Sequence, residues 1–214
     1  MDLQVFFLSL FGVISVVYLT TLVFKPGILQ YILKSCLMPI LLVVYISSVG
    51  LNNIFWPIIT ALIFAWMGDV LLVKIDNILC FKLGLASFLI GHLLYIVAMY
   101  KFTQPFHIPI LLVSILIAGC FGVIAFKAVK PSKEMKIPVI AYETIIMLMA
   151  IFACQLFMSQ NSAFGALVFA GSMCFVVSDT FLAFETFRGY KIYFLVMFTY
   201  ISAQLLIILG FCAL

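Results

Sequence analysis

Two aspartates in apolar surroundings are the residues of this sequence most suited to chemistry. Asp179 lies in residues 162–187, a run otherwise rich in Phe, Val, Ala and Gly, and Asp69 lies in Phe64-Ala65-Trp66-Met67-Gly68-Asp69-Val70-Leu71-Leu72. Each follows a small residue, Gly68 or Ser178, and each precedes an apolar tail. An acid near the middle of a membrane helix costs several kcal/mol unless it is paired, neutralised or wetted, so it marks a functional site. Two carboxyl groups in one low-dielectric cleft repel when both are ionised, which leaves a protonated acid beside an anionic partner. Such a pair suits a reaction that needs a strong proton donor and a stabilised cation. The parts of other chemistries are missing: there is no Gly-x-Ser-x-Gly elbow, no His-Glu-x-x-His, no phosphate loop and no Gly-x-Gly-x-x-Gly.

Other polar side chains fall at helical spacing. His92 and Tyr95 share a face at i and i+3, with Gly84 and Gly91 allowing a neighbouring helix to come close. A neutral histidine bonded to that neighbour is the competing explanation. Tyr142-Glu143 follows Pro138, which is tolerated in a first helical turn, and Glu143 has the alternative of snorkelling toward Lys133 or Lys136. Tyr200 and Gln204, at i and i+4, serve equally well as glue between helices. Ser172 and Asp179 are seven apart and point the same way. The six cysteines show no ligand-like spacing and read as small packing residues.

The elements that must carry these groups are membrane helices. The 214 residues are 67% hydrophobic and 8% charged, and mean hydropathy is +1.38, which excludes ordinary soluble domains. Window hydropathy gives eight spans, approximately residues 3–24, 35–51, 53–73, 79–100, 108–129, 137–158, 162–187 and 191–213. The first has no basic n-region and no small-residue cleavage site after it, so it is expected to be retained. Short connections imply an all-α, eight-transmembrane-helix up-down bundle in a single transmembrane domain, residues 1–214. Of the 11 basic residues, ten (Lys25, Lys34, Lys74, Lys82, Lys127, Lys130, Lys133, Lys136, Arg188 and Lys191) flank the loops after odd-numbered spans. Basic loops stay cytoplasmic, so both termini are expected to be exoplasmic and Asp69, Glu143 and Asp179 to share the cytoplasmic half of the membrane. The net charge of +4 is then a topology signal and not a nucleic-acid footprint.

A faint repeat accompanies this arrangement. Gly68-Asp69 recurs as Ser178-Asp179, and Lys25-Pro26 as Lys130-Pro131, at an offset of 105 to 110 residues. A parallel 4+4 duplication would set the aspartates facing each other across a pseudo-two-fold axis, against the alternative of chance similarity between two Leu/Phe-rich halves.

In order along the chain, Lys25-Pro26, the Phe64 to Leu72 stretch, Gly84 to Tyr95, Pro138 to Glu143, Gly165-Ala166 with Phe169, Ser178-Asp179-x-x-Leu182-Ala183, and Tyr200 with Ala203-Gln204 resemble the YhhN-like membrane proteins, the lysoplasmalogenase family. The crowded Gly171-Ser172-Met173-Cys174 is a departure. The resemblance implies an integral membrane enzyme that hydrolyses the vinyl-ether bond of lysoplasmalogens to a fatty aldehyde and glycerophosphoethanolamine or glycerophosphocholine. It implies no metal and no organic cofactor, and a lysophospholipid in the membrane as the partner. On that footing Asp69 and Asp179 divide the roles of general acid and ionised partner, with Asp179 favoured as the acid because Ser172 and Ser178 are expected to hydrogen-bond it. Lys25 and Lys34 become candidates for the phosphate, and His92, Tyr95, Tyr142, Glu143, Tyr200 and Gln204 position water or the glycerol hydroxyl. A bacterial inner membrane and an endoplasmic reticulum are both compatible. A proton-coupled carrier and a lysolipid-binding protein without activity are the rival readings.

Overall fold

The computed structural model describes residues 3–24, 27–74 and 78–214. Among the described residues there are eight α-helices and no strand: α1 Leu3–Thr21, α2 Ile28–Val49, α3 Trp56–Leu71, α4 Ile78–Phe102, α5 Ile108–Val129, α6 Lys136–Gln160, α7 Ala163–Arg188 and α8 Tyr193–Cys212. Hydrocarbon offers no hydrogen-bond partner to a backbone amide, so long apolar runs take the one conformation that satisfies itself. Seven of the helices are long and apolar enough to cross a membrane, which makes this a multi-pass membrane protein.

The eighth, α3, is shorter than its expected 53–73. It has 16 residues, about 24 Å at ~1.5 Å per residue, against a hydrocarbon core of about 30 Å. The missing length went into turns at both ends: Gly50 takes a positive φ of 75° ahead of a 3-10 turn over Leu51–Asn53, Pro57 lies in the first turn of the helix where its absent N–H does no harm, and a second 3-10 turn covers Leu72–Lys74. The start of α2 moves the other way, to Ile28 from an expected 35. Gly27 is extended at φ −149° and ψ 170°, so the chain turns there and the helix-compatible Ile28 to Leu33 run straight on. Lys34 therefore sits inside a helix.

The chain divides into two compact units, residues 1–98 and 99–214. In the first, α1 packs on α2 and α2 on α3. The direction of α3 is fixed by contacts at both ends: the Phe55 N–H donates to the Tyr45 hydroxyl at 3.2 Å, and the Trp66 Nε1–H to the Ser35 carbonyl at 2.9 Å. α2 and α3 are thus antiparallel. α4 returns along α3, with the Ser87 hydroxyl donating to the Phe64 carbonyl at 2.6 Å. Its buried positions up to the unit boundary, Phe81, Gly84, Ser87, Phe88, Gly91, His92, Tyr95 and Ala98, recur every three or four residues and form one stripe.

In the second unit α5 packs on α6, α6 on α7 and α7 on α8. The tightest seam is α7 against α8, where a side chain at Gly171 would come within 2.8 Å of Ile207 and 2.9 Å of the Ala203 carbonyl. Such close backbone approach is how membrane helices gain packing energy without a hydrophobic driving force. α8 answers with a stripe of Val196, Met197, Tyr200, Ile201, Gln204, Ile207, Ile208 and Phe211. By contrast α5 buries only Val129. It is held at its start by α6, whose buried Gln155 accepts from the His107 N–H at 3.0 Å and donates to the His107 carbonyl at 3.3 Å.

Candidate functional site

In the first unit the polar focus is an ion pair. Lys34 Nζ lies 3.6 Å from Asp69 Oδ1, and the two side chains are 7% and 2% exposed. The span expected over 35–51 leaves Lys34 just outside it; the earlier start of α2 instead carries it two turns into the helix, opposite Asp69 on α3. Removing two charges from water is expensive, and mutual attraction at this range offsets only part of that, so the pair is held together chiefly because each charge would be worse off alone. Gly68 lets α4 come close beside Asp69: a Cβ there would lie 2.6 Å from the Phe88 ring and would displace it. His92 and Tyr95, 2% and 1% exposed, share the buried stripe of α4 as their spacing requires. Lys25 lies outside the described residues.

In the second unit the focus is Asp179. The Tyr142 hydroxyl on α6 donates to Asp179 Oδ2 at 2.7 Å, the usual length for an O–H donating to a carboxyl oxygen. The serines expected to serve Asp179 do other work. Ser178 donates to the Val196 carbonyl of α8 at 3.0 Å, and Ser172 donates back along its own helix to Val168 at 2.9 Å. The reason is local: a helical serine finds the carbonyl four residues earlier without moving a backbone, and Ser178 meets the start of α8, where Val196 comes near. Tyr200 packs edge-on against Phe175 with ring centroids 5.7 Å apart, and Gln204 is 1% exposed on the same face of α8.

Glu143 turns away from Asp179. Its carboxyl reaches α5, where Oε1 lies 3.6 Å from the place a Cβ would occupy on Gly122, and it makes no ion pair with Lys133 or Lys136. Adjacent residues on α6 thus serve different neighbours, Tyr142 toward α7 and Glu143 toward α5. One acid carries no signal in the sequence: Glu185 on α7, whose Oε2 is enclosed without a hydrogen-bond partner among the described residues. Three residues from Arg188, it reads in sequence as an ordinary membrane-edge charge.

A family model described as the YhhN family matches residues 29–211. The chain belongs to the YhhN family. The match takes in Lys34, Asp69, Tyr142, Glu143 and Asp179 and leaves out Lys25-Pro26. No curated protein and no solved structure gives a significant match. Within this YhhN-family chain the two acids thus have different company: Asp69 is paired with a cation, whereas Asp179 is held by a neutral hydroxyl.

Proposed function

We propose that this protein is a lysoplasmalogenase, hydrolysing the vinyl-ether bond of a 1-alkenyl lysophospholipid to a fatty aldehyde and a glycerophospho-base. Membership of the YhhN family supports the class. The observation that carries the reading is the Tyr142 to Asp179 hydrogen bond, 2.7 Å long, which fixes one carboxyl oxygen in an apolar helix pair while the other accepts no hydrogen bond among the described residues. A vinyl ether reacts by protonation of the alkene carbon remote from oxygen. The electron pair of the double bond takes that proton, and the cation is shared between the adjacent carbon and the ether oxygen. Water adds to that carbon and loses a proton, and the hemiacetal collapses to aldehyde and the glycerol hydroxyl.

Asp179 is the general acid in this scheme, and Tyr142 holds it in register. Asp69 is the ionised carboxylate that favours the cation, as in glycoside hydrolysis. Lys34, a candidate for the substrate phosphate, is occupied by Asp69 at 3.6 Å. Phosphate binding and release of the Asp69 charge would then be one event. His92, Tyr95, Tyr200 and Gln204 line buried stripes from which water and the glycerol hydroxyl are positioned. Purified protein should release aldehyde from 1-alkenyl lysophosphatidylethanolamine and leave the 1-acyl analogue intact, as read by an aldehyde-trapping assay. No release in detergent or nanodiscs, together with proton-dependent solute flux in proteoliposomes, would replace the enzyme with a carrier.

The same reading orients the chain with its basic loops cytoplasmic and both ends exoplasmic. A duplicated 4+4 origin is supported by four helices per unit with the acid on the third of each, α3 and α7. A compartment-sensitive reporter fused after Leu214 should read exoplasmic; a cytoplasmic signal reverses the orientation.

A further inference from the structure

The second unit contains a groove between α5 and α6 that the catalytic scheme does not use. Its volume is about 560 Å³ and its wall includes Ile115, Gly119, Gly122, Lys127, Glu143 and Leu148. The size is within the range of pockets that enclose one small molecule or one lipid chain. Gly119 and Gly122, one turn apart on α5, supply the hollow.

The polar groups are ordered along it. Lys127, exposed near the end of α5, makes no ion pair among the described residues. One and a half turns deeper, about 7.5 Å along the axis, Glu143 faces Gly122 and has no donor from the protein among the described residues. The nearest hydroxyl in the wall, Thr144, donates to the Ile140 carbonyl at 2.8 Å and is not available to it. Beyond Glu143 the wall is apolar past Gly119 to Ile115. A cation at the rim, an unserved acceptor below it and a greasy trough beyond form the complement of an amphiphile with an anionic head, a hydroxyl next to it and a single chain.

We propose that the α5–α6 groove is a docking site for a one-chain glycerophospholipid, with the phosphate on Lys127, the free glycerol hydroxyl donating to Glu143 and the chain lying along Gly122, Gly119 and Ile115. A diacyl phospholipid has no free hydroxyl on its backbone glycerol, so it brings no donor to the carboxyl at that position. The proposal deepens the lysoplasmalogenase reading and rests on it for the role of the site, which is to hold substrate on the far side of the helix that carries Tyr142.

The test is photolabelling of the full-length protein in phosphatidylcholine nanodiscs with 1-acyl lysophosphatidylethanolamine bearing a chain-terminal diazirine. Label is expected on peptides from residues 108–160, competed by unlabelled 1-acyl lysolipid and not by diacyl phosphatidylethanolamine. Glu143→Leu and Lys127→Met, both at the lipid-facing groove, should each reduce it by about tenfold, the loss expected for one charge-assisted hydrogen bond. Label that is unchanged in both variants, or competed equally by the diacyl lipid, overturns the site. Because the probe is not a vinyl ether, specific labelling without aldehyde release from the alkenyl substrate leaves the groove standing and removes the enzyme. Aldehyde release with unspecific labelling does the reverse.

Discussion

Asp179→Asn is expected to lower aldehyde release from 1-alkenyl lysolipid by about 10²–10⁴-fold, the contribution typical of one general acid. The substitution is close to isosteric, and the side-chain oxygen of Asn still accepts from the Tyr142 hydroxyl, whose bond to Asp179 is 2.7 Å. The fold should therefore persist, with monodisperse elution and an unchanged melting temperature. Tyr142→Phe is the informative companion. It leaves the acid in place and removes the group that holds it, so its effect is bounded by a hydrogen bond to a carboxyl, about 1.5–3 kcal/mol, or roughly 10- to 100-fold in rate. The loss should fall on kcat with KM nearly unchanged, because the hydroxyl touches Asp179 and not the substrate's chain. Turnover within about threefold of wild type in Asp179→Asn would remove Asp179 from the chemistry and reduce the Tyr142 bond to a fastener between α6 and α7.

What the sequence made legible, and what it did not, follows from the range over which each signal acts. The buried stripes of α4 and α8 were readable because i, i+3 and i+4 spacing is local, and His92 with Tyr95 and Tyr200 with Gln204 fall where that spacing puts them. The carriers of charge were harder. A hydropathy window treats a lysine as the edge of a span and so leaves Lys34 outside the helix, although the helix begins right after Gly27, whose extended backbone lies seven residues earlier. Partners across helices were invisible: nothing near Asp179 in sequence distinguishes a bond from Ser178 from one made by Tyr142, 37 residues away. The serines looked closer, but in a helix the cheapest acceptor for a serine is its own backbone. The short α3 was masked for a related reason, since Gly50 and Pro57 bound a run that is apolar on both sides of the turn.

The second large effect concerns Lys34, and it changes how Asp69 must be tested. Lys34→Met leaves the Asp69 carboxylate buried with its charge no longer balanced by Lys34, and breaking a buried pair in this way costs about 3–5 kcal/mol. The pair is 7% and 2% exposed at 3.6 Å, so little water is at hand to soften the loss. Asp69→Asn likewise removes the carboxylate that balances the buried Lys34. Loss of turnover in either single variant would thus confound chemistry with unfolding, and Asp69→Asn alone decides nothing. The double variant Lys34→Met/Asp69→Leu removes both charges and fills the space with side chains of similar size. It should recover most of the melting temperature lost by either single change, giving a coupling of about 2 kcal/mol or more in a double-mutant cycle. If Asp69 serves the reaction, the restored protein stays inactive on 1-alkenyl lysolipid; if it turns over at the wild-type rate, Asp69 and Lys34 exist to join α2 to α3. Additive stability losses with no coupling would mean that 3.6 Å separates two charges that do not depend on each other, and the assignment of Lys34 as the cation that gives Asp69 up to the substrate phosphate would fall with it.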